Sequence, residues 1–241
     1  MKRSQIDTDR AGYRVETLES HRNYALEKPL RCPLCLQSGV GLYYSEPARV
    51  YWRCTTCLLV FVPPRYHLSS KDARVRYNKH RNRPGQPGYE GYREFLVRLV
   101  NIVVPRLAPR ADGLDFGCGP SPTMANIMAR RGFTIRNYDP LFAADPAVLE
   151  RKYDFVLCSE TVEHFTQPGE DWTLLVRSVK PGGLLAVMTQ RLVQEMQFAD
   201  WYYKRDATHV AFYAQTTMEW IAVQHGLDAT LYPKDIVIFR C

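Results

Sequence analysis

From residue 113 onward, apolar residues fall into short runs divided by turn signals, and the period of the pattern switches back and forth. Segments 113–116, 134–138, 153–159 and 184–189 have the length and composition of buried strands, whereas 122–131 and 171–179 carry helical spacing. Segment 216–224 is helical up to Gly226, and two strand-like pieces, 229–232 and 236–240, flank Pro233-Lys234-Asp235. Strands alternating with helices predict an α/β fold with a doubly wound, mostly parallel sheet. Upstream, Tyr92, Phe95, Leu96, Leu99, Val100 and Val103 recur at helical spacing from about Tyr89 until Pro105 ends the pattern. Segment 65–88 lacks such periodicity and holds Pro84-Gly85 and Pro87-Gly88, so it reads as a linker. Residues 31–64 form a cysteine-bearing unit that ends in the apolar run 58–62 and stops at Pro63-Pro64. Residues 1–30 are polar and aperiodic, and read as an arm. The expected organisation is thus 1–30 arm, 31–64 cysteine unit, 65–88 linker and 89–241 α/β domain.

A length of 241 residues suits one sizeable domain with a small satellite. Hydrophobic residues make up 46% and charged residues 24%, ordinary for a globular chain. No apolar run reaches the roughly 18 residues a membrane span needs, and the charged N-terminus lacks a signal-peptide core, so a cytoplasmic location without membrane partners is expected. The net charge of +7 is concentrated. Between Arg65 and Arg110 eleven Lys and Arg face only Asp72, Glu90 and Glu94, leaving the rest of the chain near neutral. Such a block is either the footprint of a polyanion, nucleic acid being the commonest, or a solvated face.

Cys32-Pro-Leu-Cys35 and Cys54-Thr-Thr-Cys57 are separated by segment 36–53. Each pair closes a knuckle that aims two thiolates at one ion, and four thiolates complete a closed tetrahedral site suited to structural Zn. So small a unit cannot bury a core of its own, so the metal would supply its folding energy. Two separate redox pairs are the alternative. Cys118 and Cys158 read as small apolar fillers, and His67, His80 and His225 are assigned no role.

Leu114-Asp-Phe-Gly-Cys-Gly-Pro120 follows a strand and precedes a helix. Gly117 and Gly119 let the backbone turn sharply and approach a ligand, and Asp139 ends the next strand, where it can take the hydroxyls of a ribose. Nicotinamide-binding proteins share such a turn, but residues 117–122 read Gly-Cys-Gly-Pro-Ser-Pro and lack the final glycine of their pattern. Together with Tyr138-Asp139-Pro140, Tyr153-Asp-Phe-Val-Leu-Cys-Ser159 and Val179-Lys-Pro-Gly-Gly-Leu-Leu185, the turn resembles class I S-adenosylmethionine-dependent methyltransferases over about residues 89–241. The resemblance implies a seven-stranded Rossmann-like sheet. It also implies S-adenosylmethionine as cofactor, bound by Asp115, Gly117, Cys118, Gly119, Asp139 and Ser159. Here Ser121 stands where the family has a third glycine. Only segment 140–152 separates Asp139 from Tyr153, too short for an ordinary helix and strand. The acidic residue that contacts adenine is therefore assigned to Asp145 only as a candidate.

Glu160, Glu163 and His164 have the spacing of one helical face. With the distant His209, this pattern resembles small-RNA 3′-terminal 2′-O-methyltransferases and ubiquinone-pathway O-methyltransferases. In those families the two Glu and two His positions hold a divalent cation, commonly Mg²⁺. The resemblance makes Glu160, Glu163, His164 and His209 the candidate catalytic residues and cation ligands; the alternative is a metal-free site in which the histidine acts as a base or packs. The aromatic and cationic loop 198–205 can cover a planar substrate or stack a base, with half its aromatics expected to pack inward. Three functions follow. The first is O-methylation of an RNA hydroxyl, and the second is methylation of a small metabolite, catechol-like or a nucleotide sugar. The third is a non-catalytic zinc-ribbon adaptor.

Overall fold

The computed structural model describes residues 31–79, 82–193 and 198–241; the arm 1–30 and His80 lie outside the described residues. The main sheet has six strands: β4 (Asp112–Phe116), β5 (Thr134–Tyr138), β6 (Tyr153–Ser159), β7 (Val179–Met188), β9 (Asp228–Leu231) and β10 (Ile236–Arg240). Their order is β5-β4-β6-β7-β10-β9. The pairs β4–β5, β4–β6 and β6–β7 are parallel, and β10 runs antiparallel to both its neighbours. The expected seventh strand is not among the described residues. Segment 140–152 accommodates only a 3₁₀ turn, Pro146–Val148, before β6 begins.

Two layers of helix bury the sheet. On one face α2 (Tyr89–Val103) and α3 (Thr123–Ala129) place Leu96, Leu99, Val103, Met124 and Met128 against Phe155, Leu157, Leu184 and Ala186. On the other, α4 (Pro168–Arg177) and α5 (Gln215–His225) place Trp172, Leu175, Met218 and Ile221 against Val156, Leu185, Val237 and Phe239. Alternate strand residues feed opposite faces, so both faces of each central strand are apolar, as a doubly covered parallel sheet requires. No helix among the described residues is long and apolar enough to cross a membrane.

The cysteine unit is built into this core. β1 (Val40–Glu46), β2 (Arg49–Cys54) and β3 (Val60–Phe61) form an antiparallel sheet whose fourth strand is β8 (Ala211–Phe212), contributed from the far end of the chain. Val60 pairs with Phe212 and Phe61 with Ala211. Leu34, Leu59 and Phe61 belong to the same buried cluster as Trp172, Tyr213 and Phe239. Within the segment expected to be a linker, Ser70–Tyr77 form a helix, α1. Ser69 caps it, accepting from the Asp72 amide at 3.2 Å.

Candidate active site

The strands β4, β5 and β6 end on one side of the sheet, where a cavity of about 600 Å³ opens. This is the switch point at which α/β sheets receive their ligands, because strand order reverses there and the connections diverge. The turn after β4 forms its floor. Gly117 and Gly119 have φ of +80° and +63°, and the amides of Gly117 and Cys118 both donate to Tyr138 O, at 2.8 and 3.1 Å. A Cβ on Gly117 would stand 2.2 Å from the Thr161 side chain, so only glycine fits this approach. Ser121, where the family has glycine, is buried at the helix start and 3.1 Å from Thr123 Oγ1. The turn therefore keeps its shape without the third glycine.

Asp139 lies in the cavity wall. One carboxylate oxygen accepts from the amides of Leu141 (2.8 Å) and Phe142 (3.1 Å), the other from Gly119 (3.0 Å). The carboxylate that closes β5 is thus bonded to the turn that closes β4, and the second oxygen retains acceptor capacity toward the cavity. Cys118 and Ser159 also line the cavity. Burial pushes the Cys118 thiol above its usual range, which makes it a neutral wall rather than a nucleophile. Asp115 sits behind the turn and is not part of the lining; burial, then the Asp139 charge, push its carboxyl up to about 7. Asp145 is not in the cavity either. It is exposed and caps the Pro146–Val148 turn, accepting from the Ala147 amide at 3.0 Å, so its candidacy for adenine is withdrawn. Leu141 and Phe142, by contrast, line the cavity.

Glu160, His164 and His209 also line the cavity. The expected single helical face does not form. Glu160 has φ +47°, a left-handed bend, and the helical part is a short 3₁₀ turn, Val162–His164. Glu163, His164 and His209 nevertheless bring their ligand atoms within 4.8 Å of one another, and Glu160 is not part of that group. Each imidazole is oriented by a backbone carbonyl: His164 Nδ1 lies 3.0 Å from Thr208 O and His209 Nδ1 2.7 Å from Tyr203 O. A carbonyl can only accept, so each Nδ1 carries a proton and Nε2 is the nitrogen left on each ring to bind a ligand. Burial pulls His209 down to about 4, keeping it neutral at ordinary pH.

Glu163 is fully buried. Thr189 donates to its Oε2 at 2.9 Å, while Oε1 has no hydrogen-bond partner and stands 3.9 Å from His164 Nε2. Thr189 also lies 3.1 Å from the Tyr203 hydroxyl, which donates to Glu160 Oε2 at 3.3 Å. Burial, then the Glu163 charge, push the Glu160 carboxyl well up. A buried carboxylate oxygen without a hydrogen-bond partner, clustered with two imidazoles, is an arrangement a cation satisfies.

Several lining residues carried no functional signal in the sequence. Tyr92 and Phe95 reach the cavity from α2, and Leu68, Ala73 and Tyr77 come from α1 and the residues before it. The Tyr77 ring meets His164 edge-on at 5.1 Å. The Ser69-x-x-Asp72 capping pattern was the available signal for α1. In the aromatic loop, Phe198 and Tyr203 pack inward whereas Tyr202 is exposed, as its composition led one to expect.

In the cysteine unit, Cys32, Cys35, Cys54 and Cys57 place their sulfurs within 4.8 Å of one another. Cys32–Cys57 and Cys35–Cys54 are each 3.4 Å apart. Leu36 and Leu58, which follow the two knuckles, both have φ of +60°, so the halves share one backbone form. The Cys57 thiol, beside Cys32, holds Cys32 down to about 6, while burial pushes Cys35 up to about 12.

The family model for the methyltransferase domain matches residues 89–231. Among curated proteins none matches the chain. Solved structures with a similar fold include an S-adenosylmethionine-dependent methyltransferase from Archaeoglobus fulgidus, 16% identical with a TM-score of 0.49, covering 62% of this chain and 94% of the other. Another is the magnesium protoporphyrin IX methyltransferase of Synechocystis with S-adenosylhomocysteine bound, 13% identical with a TM-score of 0.42, covering 72% and 95%. With the family match spanning more than half its length, the chain belongs to the methyltransferase domain family and is an S-adenosylmethionine-dependent methyltransferase.

Proposed function

We propose that the enzyme methylates a hydroxyl oxygen of a small acceptor whose neighbouring oxygens engage a divalent cation held by Glu163, His164 and His209. The observation that carries this reading is the unpartnered Glu163 Oε1 facing two imidazoles whose Nδ1 atoms are tied to backbone carbonyls. When bound, the cofactor supplies an electrophilic methyl group and the cation lowers the pKa of the hydroxyl. The residues supply the rest. Gly117, Cys118, Gly119 and Asp139 form the cofactor end, with Asp115 buttressing the turn and Ser159 between the two ends. His164 and His209 would hold the cation through their Nε2 atoms and so orient the acceptor oxygens bound to it, and Glu160, in the cavity lining, would take the hydroxyl proton. Two imidazoles and one carboxylate suit a borderline ion such as Fe²⁺ or Zn²⁺ better than Mg²⁺, which prefers oxygen donors. The four cysteines are read as a structural zinc ribbon.

Internal pairing of the basic block supports a small acceptor. Arg76 pairs with Asp206, Arg93 with Glu90 and Arg98 with Asp235, and Arg106 bonds to Ile102 O and Tyr232. RNA remains a second reading because Lys71, Arg74 and Lys79 belong to α1 and the residues just after it, beside the cavity. Labelled methyl transfer into total RNA and into a small-metabolite extract separates the two. Incorporation into the extract, insensitive to salt, is expected; steeply salt-dependent incorporation into RNA reverses the assignment. Chelation and His209→Ala are each expected to abolish transfer and leave cofactor binding intact. Full activity in chelator, with ribbon zinc retained, refutes the cation.

A further inference from the structure

His209 sits in a segment, 202–212, held from outside by the ribbon. Arg49, at the start of β2, is only 7% exposed. Its guanidinium donates to three backbone carbonyls of that segment: His209 O at 3.2 Å, Asp206 O at 2.9 Å and Lys204 O. Three neutral carbonyls converging on one buried cation make a fork that few other side chains can fill, since only guanidinium offers five donors in a fixed plane. Nearby carboxylates are engaged elsewhere: Glu46 with Lys204 and Tyr51, and Asp206 with Arg76 and Thr208.

The residues around His209 are bracketed in the same way. The Val210 amide donates to Glu163 O at 2.8 Å, and Val210 O accepts from the Val62 amide of the ribbon at 2.9 Å. The His209 amide donates to Asp206 O at 3.1 Å, the same oxygen that Arg49 binds. Tyr203 O, which receives His209 Nδ1, precedes the first carbonyl that Arg49 binds. One guanidinium therefore sets the curl that places both the histidine and the carbonyl orienting its ring.

We infer that Arg49 is a positioning residue, through which the ribbon fixes the His209 imidazole at the acceptor end of the site. The inference rests on the role proposed above for His209. The ribbon is then part of the active centre's framework rather than a reader of polyanions attached to it.

The test uses the full, zinc-supplemented chain and compares Arg49→Lys and Arg49→Ala with wild type. Lysine keeps the charge but cannot bridge three carbonyls. Expected for both variants are a loss of the slowly exchanging His209 Nδ1 proton in the NMR spectrum and at least a tenfold fall in kcat. KM for S-adenosylmethionine should stay unchanged. Millimolar guanidinium should restore part of the activity of Arg49→Ala and none to Arg49→Lys. If Arg49→Ala fails to fold, Arg49→Lys carries the proton and kcat measurements alone. A folded variant with wild-type kcat, or with an undisturbed His209 proton signal, overturns the inference. His209→Ala is measured in parallel: full turnover there removes the underlying role of His209, and the Arg49 inference falls with it. Loss of turnover in His209→Ala alongside an unaffected Arg49→Lys overturns the Arg49 inference alone.

Discussion

The ring of Phe155 on β6 occupies the space that a side chain on Gly113 of β4 would need: a Cβ there would lie 2.2 Å from the ring. The two residues are register partners in the parallel pair and so face the same side of the sheet. Phe155 continues edge-on to Phe133 at 6.0 Å, which ties this contact to the layer of α2 and α3.

Gly113→Ala is accordingly expected to destabilise the protein by about 1–3 kcal/mol, the usual cost of overpacking a filled core. Urea unfolding measures it. Trimming the ring in the double variant Gly113→Ala/Phe155→Leu should recover part of the loss, and strictly additive costs would contradict the contact.

Asp115 makes stability depend on pH in a defined direction. Its carboxyl is raised from 3.8 to about 7 by burial and then by Asp139, so the folded state binds the proton more tightly than the unfolded state. This contribution is fully present below pH 4 and is lost as pH rises through 7, on the order of 4 kcal/mol in all. Asp115→Asn cannot titrate. Its unfolding free energy relative to wild type should rise between pH 4 and 7 and level off above, and a constant difference across that range would exclude the effect.

The four cysteines should bind one zinc ion per chain. Removal with a strong chelator is expected to lower the melting temperature, and re-addition to restore it. Because β3 pairs with β8, hydrogen exchange at Ala211 and Phe212 should accelerate along with exchange in the ribbon. Protection of β8 that survives zinc loss would show that the two are independent.

The legible parts of this molecule were those written in contiguous residues. The strand–turn–helix around Gly117, the acid at the end of β5 and the paired cysteine knuckles each carry their own local signal, and all three are found where the spacing put them. What the pattern could not convey was either long-range or set by a single dihedral. The pairing of β3 with β8 joins two very short strands from distant parts of the chain, which no periodicity marks. Glu160 leaves the face shared with Glu163 because of one left-handed residue, itself. Helix α1 was hidden because its residues are polar almost throughout and its stability comes from its cap and its place against the cavity. The resemblance implied a seventh strand, which is missing among the described residues because segment 140–152 is too short for a helix and a strand.

That shortage has a structural consequence of its own. Among the described residues β5 is the border of the sheet, with one row of peptide groups facing away from any partner strand. Borders of this kind invite a second molecule to add on, and proteins guard them with brevity and charge. β5 is five residues long and exposes Arg136 at its centre. The brevity of β5 and the arginine at its centre thus discourage a further strand from adding at this margin.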